Sequence, residues 1–279
     1  MAFTTLVDGA TLARHVGDPA WVLVDCRHDL ANPAAGEAAY GRGHIPGALF
    51  LHLDRDLSGP KSGRNGRHPL PDMAALAATL GRIGIGAGTQ VVAYDDCGGM
   101  MAGRLWWLLR WLGHDSVALL DGGLPAWSAA GGALSDAVPT PLPAVFTPHP
   151  RPWVLSADEV LAGLGQPERL ILDARAPDRF RGENETLDPA GGHIPGARNR
   201  FFRDNLGADG RFKPAGQLRQ EFAAVLDGHG PTQVVHQCGS GVSACHNLLA
   251  MEIAGLPGSR LYAGSWSEWC ADPARPVAR

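Results

Sequence analysis

The sequence has few cysteines, little charge imbalance and no long apolar run, and each shortage excludes a class of protein. Five cysteines lie at irregular spacing in 279 residues without a CxxC pair, which argues against a disulfide framework and a zinc site. A net charge of −4 leaves no basic stripe for nucleic acid. No apolar run approaches a membrane span, and the opening residues show no basic stretch followed by an apolar one. We therefore expect a globular, cytoplasmic protein that acts on small molecules, with no nucleic-acid or membrane partner.

The chain contains one series of motifs twice. The hexapeptide GHIPGA stands at 43–48 and again at 192–197, and each copy follows an apolar run that ends in Asp-x-Arg. A second apolar run, TQVVAYDD or TQVVHQC, comes after each copy, and each half closes on a tryptophan-bearing segment. Apolar runs that alternate with helical patterns favour a parallel sheet covered by helices. We predict an α/β fold with two homologous domains, 1–136 and 153–279, joined by a proline-rich linker over 137–152.

Cys238 stands where a predicted strand, VVHQ, gives way to Gly-Ser-Gly and then to a predicted helix over 242–254. Ligand sites of parallel sheets lie at the C-terminal ends of strands. Gly239 and Gly241 allow the bend to turn its N–H groups toward the sulfur, and a helix N-terminus stabilises an anion. The pattern favours a nucleophilic thiolate over the alternative, a buried structural cysteine. Cys245 falls on the apolar face of the same helix and is predicted to be a core residue.

Two enzyme classes use a thiolate in this strand–bend–helix setting. Cysteine phosphatases need an arginine six positions after the cysteine to clamp the phosphoryl oxygens, and here that position is Ala244. Enzymes of the second class accept a sulfane sulfur on the thiolate and pass it on. The sequence favours the second class.

The paired GHIPGA halves, the CGSGVSAC loop and the ending YAGSWSEW resemble the two-domain rhodanese-type sulfurtransferases over essentially the whole chain. The resemblance implies two rhodanese-like domains, each a mainly parallel sheet flanked by helices. It further implies sulfur transfer through a persulfide on Cys238, with neither cofactor nor metal. Asp95 in VVAYD aligns with Cys238, so the first domain is predicted to be catalytically inactive.

The loop after the cysteine separates two substrate classes in this family. Thiosulfate-preferring members carry two cations there, whereas the loop of this chain resembles that of mercaptopyruvate-preferring members. We therefore expect 3-mercaptopyruvate as the sulfur donor, and thioredoxin, a low-molecular-weight thiol or cyanide as the acceptor. The loop residues assigned to donor binding are Gly239, Gly241, Val242 and Ser243. Thiosulfate as the donor, or a module that only relays a persulfide to a partner, stay open as alternatives.

The resemblance also implies a Ser–His–Asp set that assists the mercaptopyruvate reaction. The matching residues are Ser240 in the loop, Asp54 in LHLD and His68 in RNGRHPLP. The set would draw on the first half of the chain to complete the site. The alternative for His68 is an ordinary polar residue of a loop.

The arginines that bind the donor carboxylate in this family follow the second Asp-x-Arg strand. Arg179 matches the first of them, but Asp188 stands where the second is expected. Arg181, Arg198 or Arg200 could fill the second role.

Other repeated residues occur in both halves, including the half without a nucleophile. Arg27 and Arg175 are therefore predicted to pair with a neighbouring carboxylate. His44 and His193 are predicted to fix the GHIPGA loops by hydrogen bonds.

Overall fold

The computed structural model describes residues 2–279, which form two compact units. The first unit comprises the chain up to Gly59, Pro71–Pro152 and Ala208–Phe212. The second comprises Pro60–Leu70, Trp153–Gly207 and Lys213–Arg279. In the described chain, no helix has the length and apolar character that a membrane crossing requires.

The first unit is built on a five-stranded, fully parallel sheet with the strand order β1-β5-β4-β2-β3. Its strands are β1 (Leu6–Val7), β2 (Trp21–Asp25), β3 (Leu49–Phe50), β4 (Gln90–Tyr94) and β5 (Val117–Leu120). Its helices are α1 (Gly9–Ala13), α2 (Ala34–Arg42), α3 (Leu53–Asp56), α4 (Met73–Arg82), α5 (Ala102–Trp111) and α6 (Gly123–Ala129).

The second unit repeats this architecture with the strand order β6-β10-β9-β7-β8, again parallel throughout. Its strands are β6 (Val154–Leu155), β7 (Leu170–Asp173), β8 (Arg198–Asn199), β9 (Val234–Gln237) and β10 (Arg260–Tyr262). Its helices are α7 (Ala157–Ala162), α8 (Pro177–Phe180), α9 (Ala215–Leu226), α10 (Ser243–Ile253) and α11 (Ser265–Trp269). Short 3₁₀ turns cover Phe202–Asn205 and Pro231–Gln233.

The central strands of both sheets are buried on both faces, as expected for parallel strands rich in Val and Leu. Strand β7 pairs with β9 so that Asp173 lies opposite Gln237. The chain segments that follow these two residues therefore leave the sheet at the same edge. One carries Arg175, and the other carries Cys238. The register thus brings the predicted nucleophile to the edge where ligand sites of such sheets form.

The two Asp-x-Arg motifs hold their GHIPGA loops in the same way. The guanidinium of Arg27 donates to the Asp25 carboxylate and, from Nη2, to the carbonyl oxygen of Gly43 at 2.7 Å. Arg175 donates to the Asp173 carboxylate and to the Gly192 carbonyl, also at 2.7 Å. The predicted structural role of both arginines is confirmed.

The histidines of the two hexapeptides fix their loops as predicted. In each, Nδ1–H donates over 2.9 Å to a backbone carbonyl, that of Tyr40 for His44 and that of Phe180 for His193. Each imidazole also stacks on the ring of the same aromatic residue. The isoleucine that follows, Ile45 or Ile194, is fully buried in the core of its unit. The repeated motif is therefore a folding device rather than a catalytic one.

The proline-rich stretch contains no helix and no extended strand. It runs along the first unit, where the N–H of Ala144 donates to Gly81 O and the N–H of His149 donates to Leu112 O, both at 2.8 Å. Arg151 adds an ion pair with Asp115. These contacts order a segment that has few N–H donors of its own.

Candidate functional site

Cys238 lies at the carboxyl end of β9 and is almost completely buried. Its Sγ accepts hydrogen bonds from the N–H groups of Gly241 at 3.1 Å and Ser240 at 3.5 Å. Gly241 has φ +77°, and a Cβ at that position would lie 2.3 Å from the Ala263 carbonyl oxygen. Only glycine fits there, and its conformation turns the amides inward. The result is a cradle of N–H donors that stabilises negative charge on sulfur.

The loop leads directly into α10, which begins at Ser243 after Val242 and ends at Ile253, within the predicted range. No side chain caps the helix at Val242, so its first amides remain oriented toward the loop. Val242 and Ser243 thus form the first turn beside the sulfur. The buried thiol of Cys245 donates to the Gly241 carbonyl at 3.3 Å, which confirms a structural position in the core.

A sharp corner at the start of α11 supports the loop from the other side. The hydroxyl of Ser265 accepts a hydrogen bond from the Cys238 N–H at 3.1 Å, and Ser265 itself has φ +55°. The amides of Trp266 and Ser267 donate to the carbonyls of Cys238 and Gly239 at 2.9 and 3.0 Å. The ending GSWSEW therefore holds the backbone of the cysteine loop, a role that the sequence did not disclose.

The segment Pro60–Leu70 belongs to the second unit although it follows the first GHIPGA motif in the chain. It is anchored by a hydrogen bond from the Arg67 N–H to the Ser267 hydroxyl at 3.1 Å. Gly66, at φ +82°, passes so close to Gly264 that a Cβ would lie 2.7 Å from its carbonyl oxygen. This docking brings His68 to Ser240, with 2.8 Å between Nδ1 and Oγ, and both residues are buried.

Asp54, the third member of the predicted set, lies in the first unit on α3. Its carboxylate is 3.8 Å from Nε2 of His28. Ligand atoms of Asp54, His28 and His52 lie within 4.8 Å of one another, as in a metal site. However, Nδ1 of His52 accepts from the first amides of α3, and Nε2 donates to the Pro33 carbonyl. The imidazole of His52 therefore acts as a helix cap and has no nitrogen left for a metal.

Arg179 lies on α8 in a cluster of buried carboxylates. It donates from Nε and Nη2 to Glu185 and from Nη2 to Asp188 at 3.3 Å. Burial opposes ionisation of Glu185, but the Leu187 N–H and the Arg179 guanidinium together hold the pKa of this carboxyl below its usual value. Nη1 of Arg179 points to the cysteine loop, since a Cβ on Gly239 would lie 3.5 Å from it.

The other candidate arginines are engaged elsewhere. Three ion pairs account for them: Arg181 with Glu183 at 2.8 Å, Arg198 with Asp227 at 3.0 Å and Arg200 with Glu221 at 2.6 Å. Arg67, which the sequence analysis did not single out, does reach the site. Its Nη1 pairs with Asp188, and its Nη2 would lie 2.8 Å from a Cβ on Gly239.

The remaining cysteines lie in less favourable surroundings for a nucleophile. None of the five cysteines, all of which lie in the described chain, forms a disulfide. Burial raises the pKa of Cys26 and of Cys97, and it raises that of Cys270 to about 11. These thiols stay protonated near neutral pH, so they are poor nucleophiles.

The equivalent loop of the first unit holds a carboxylate. Asp95 follows β4 as Cys238 follows β9. Its Oδ1 accepts from the amides of Cys97 and Gly99, and its Oδ2 accepts from those of Met101 and Ala102, all at 2.8–2.9 Å. The anion cradle of this unit is therefore filled by the chain itself.

Comparison with known proteins agrees with this geometry. The rhodanese-like domain profile matches residues 8–130 and 156–272. A Pseudomonas aeruginosa protein named "Probable 3-mercaptopyruvate sulfurtransferase" is 52% identical over 281 residues, which cover 100% of this chain and 99% of the relative. A thiosulfate sulfurtransferase of the same organism is 35% identical over 283 residues, covering 98% of this chain and 96% of the relative.

Among solved structures, the crystal structure of the Escherichia coli 3-mercaptopyruvate sulfotransferase SseA superposes with a TM-score of 0.81 at 30% identity. The match covers 95% of this chain and 99% of that one. The repeated domain profile and the full-length relatives agree with the duplicated sheet. The chain belongs to the rhodanese-like family and is a sulfurtransferase.

Proposed function

We propose that this chain transfers sulfur from 3-mercaptopyruvate through a persulfide on Cys238 and releases pyruvate. The observation that carries the proposal is the 2.8 Å contact between His68 Nδ1 and Ser240 Oγ, two residues from the cradled sulfur. A hydroxyl backed by an imidazole can deliver a proton to a departing carbon. Of the two donors considered, only mercaptopyruvate has a leaving group that needs one.

In the first half-reaction, sulfur passes from the donor to Cys238. The Cys238 thiolate attacks the thiol sulfur of the donor, an S–S bond forms, and the C–S bond breaks with its electron pair passing to carbon. The resulting enolate of pyruvate takes a proton from Ser240, which recovers one from His68. Asp54, which the resemblance implies as the third member of the set, stays a prediction.

The uncharged loop and the arginines beside it support a donor that carries one negative charge, on its carboxylate. Gly239, Ser240 and Gly241 carry no charge, so the cations come from outside the loop. Arg179 offers Nη1 toward Gly239 and would bind the carboxylate, and the amides around Gly241, Val242 and Ser243 would hold charge near the reacting sulfur.

In the second half-reaction, an acceptor thiolate or cyanide attacks the outer sulfur of the persulfide and regenerates the Cys238 thiolate. Thioredoxin or a low-molecular-weight thiol has the required nucleophile. Five cysteines at irregular spacing favour a reducing compartment, which supports a cytoplasmic location.

Thiosulfate is the second candidate donor. Two guanidinium groups, those of Arg67 and Arg179, approach Gly239, and a dianion would benefit from both. A relay module that receives its sulfur only from a partner protein would use the same cradle but would not release pyruvate from mercaptopyruvate.

The deciding experiment compares kcat/KM for 3-mercaptopyruvate and thiosulfate with cyanide as acceptor and no partner protein. We expect a higher value for mercaptopyruvate, together with stoichiometric pyruvate. A preference for thiosulfate would favour the second candidate, and no turnover with either donor would favour the relay module.

A further inference from the structure

The second donor-binding arginine of this chain is not at the position that the family resemblance implies. That position holds Asp188, whose side chain is only 3% exposed. A buried carboxylate requires cationic partners, and Asp188 has two. Its Oδ1 accepts from Arg67, and its Oδ2 accepts from Arg179 at 3.3 Å. Asp188 therefore bridges two guanidinium groups instead of supplying one.

Arg67 reaches this position because its backbone is tied to the cysteine loop through one residue. The hydroxyl of Ser267 accepts from the Arg67 N–H, while the amide of Ser267 donates to the Gly239 carbonyl. A shift of the segment Pro60–Leu70 would therefore displace Ser267 and, with it, Gly239. The anchor is short and local, so the guanidinium is held at a defined place near the loop.

Both guanidinium groups border the space beside Gly239. The nearest atoms to a Cβ at that position would be Nη2 of Arg67 at 2.8 Å, then Nη1 and Nη2 of Arg179 at 3.5 and 3.7 Å. The ion pair of Arg67 uses Nη1, and those of Arg179 use Nε and Nη2. Within residues 2–279, no hydrogen bond or ion pair uses Nη2 of Arg67 or Nη1 of Arg179, so these N–H groups can meet a ligand over the loop.

Charge balance explains why two arginines can lie so close. Asp188 lies between them, and Glu185 pairs with Arg179 through both of its oxygens. Both carboxylates offset the repulsion between the cations. Glu185 fixes the Arg179 guanidinium by paired hydrogen bonds, the geometry in which arginine binds carboxylates most strongly, and Asp188 accepts one hydrogen bond from each arginine.

We propose that Arg67 is the second arginine that binds the carboxylate of the sulfur donor, and that Asp188 is a positioning residue that holds it there. The proposal rests on the proposed function, because it assigns the carboxylate of 3-mercaptopyruvate to this pair. The segment Pro60–Leu70 supplies the cation that the resemblance implies at position 188, and the acidic residue at that position receives it.

The test is kcat/KM of Arg67→Ala with two donors, 3-mercaptopyruvate and 1-mercaptopropan-2-one, in which a methyl group replaces the carboxylate. We expect Arg67→Ala to lose about ten- to hundredfold with mercaptopyruvate, as for a charge-assisted contact, and to change little with the ketone. Arg67→Lys should recover part of the loss, since it keeps the charge without the fork. The matched control is Arg64→Ala, an exposed arginine of the same segment.

The double variant Arg67→Ala/Asp188→Arg gives an independent readout. It places the cation where the resemblance implies it, and it should recover mercaptopyruvate turnover relative to Arg67→Ala. Equal losses with both donors, or no loss, would overturn the proposal, since Arg67 would then only support the segment or do nothing.

Failure of the proposed function is distinguishable from failure of this inference. If the wild type does not turn over mercaptopyruvate, calorimetric titration of Cys238→Ser with pyruvate decides the role of Arg67. Weaker pyruvate binding by the double variant Cys238→Ser/Arg67→Ala than by Cys238→Ser supports the inference. Unchanged binding, or no binding in Cys238→Ser itself, contradicts it.

Discussion

The two halves of this chain build the same anion cradle and fill it differently. In the first unit, the carboxylate of Asp95 receives four backbone N–H groups at 2.8–2.9 Å. In the second, the sulfur of Cys238 receives two, at 3.1 and 3.5 Å. A permanent internal anion satisfies the first loop, whereas the second loop turns backbone amides toward a thiol. The same bend therefore presents backbone N–H groups in both units, and we expect the residue at its start to decide whether the loop is structural or chemical.

The largest expected effect is on Cys238→Ser. A serine hydroxyl near neutral pH is neither ionised nor able to carry a sulfane sulfur, so steady-state transfer should fall to background with either donor. The fold should persist, because serine accepts the same amide hydrogen bonds. Cys270→Ala, which removes a half-buried thiol of the same unit, serves as the control and should keep its turnover.

The contact between Ser240 and His68 involves a loop position that Cys97 occupies in the first unit. Ser240→Ala and His68→Ala should each lower mercaptopyruvate turnover by about hundredfold, within the usual range for proton transfer. Thiosulfate turnover should change much less, since sulfite leaves without a proton. The double variant should be little worse than the worse single one, because the two residues act as a unit. Additive losses, or equal losses with both donors, would reduce the pair to loop supports.

We expect Arg179 to bind the donor carboxylate and not the transferred sulfur. Arg179→Ala should lower kcat/KM for mercaptopyruvate by about ten- to hundredfold, and Arg179→Lys should recover only part of it. Arg181→Ala, two residues away and paired with Glu183 at the surface, is the matched control. An unchanged value in Arg179→Ala would show that a different arginine clamps the donor.

Replacing Asp95 should lower the free energy of unfolding, whereas replacing Cys238 should lower activity. Asp95→Asn turns an amide NH₂ toward N–H groups that need an acceptor, at an expected cost of about 2–4 kcal/mol in the free energy of unfolding. The neighbour Asp96 is the control: partial desolvation of its carboxyl and the charge of Asp95 raise its pKa, so Asp96→Asn should be neutral or slightly stabilising. Urea denaturation of both variants measures the difference. Equal effects would contradict a structural role for the Asp95 carboxylate.

The last expected effect is confined to acid pH and concerns His236 on β9, which aligns with Ala93 on β4. Burial lowers the pKa of His236 to about 3. The unfolded chain binds a proton below about pH 6.5 and the folded chain does not, so stability should fall as the pH drops from there toward 3. The contribution is at most about 1.4 kcal/mol per pH unit. His236→Ala, which copies the first half, should flatten the dependence of unfolding free energy on pH, whatever its effect on stability at pH 7. An unchanged slope would mean that other groups carry the acid sensitivity.

Much of the architecture follows from local patterns. The alternating apolar runs predicted both parallel sheets, and the repeated Asp-x-Arg and GHIPGA motifs predicted their ion pairs and loop contacts. The glycines at 239 and 241 predicted a bend before α10. These features depend on residues near one another in the chain or on a repeat that appears twice, so a single sequence contains them.

The rest depends on contacts between residues far apart in the chain. Arg67 meets Asp188, 121 positions later, only because the segment Pro60–Leu70 leaves the first unit and docks on Ser267. No periodicity or motif in the sequence indicates that this segment belongs to the second unit. The support that Ser265 gives to the cysteine loop depends likewise on a left-handed backbone conformation at a non-glycine residue, which the sequence does not disclose.

The central claim is that the second cradle holds a sulfur-carrying thiolate. The most direct measurement treats the wild type with one equivalent of 3-mercaptopyruvate and no acceptor, then maps mass along the digested chain while pyruvate is quantified. We predict the mass of one added sulfur atom on the peptide that contains Cys238, with one pyruvate released per chain. Sulfur found on Cys97 or Cys245 instead, or pyruvate released without any labelled cysteine, would contradict the account.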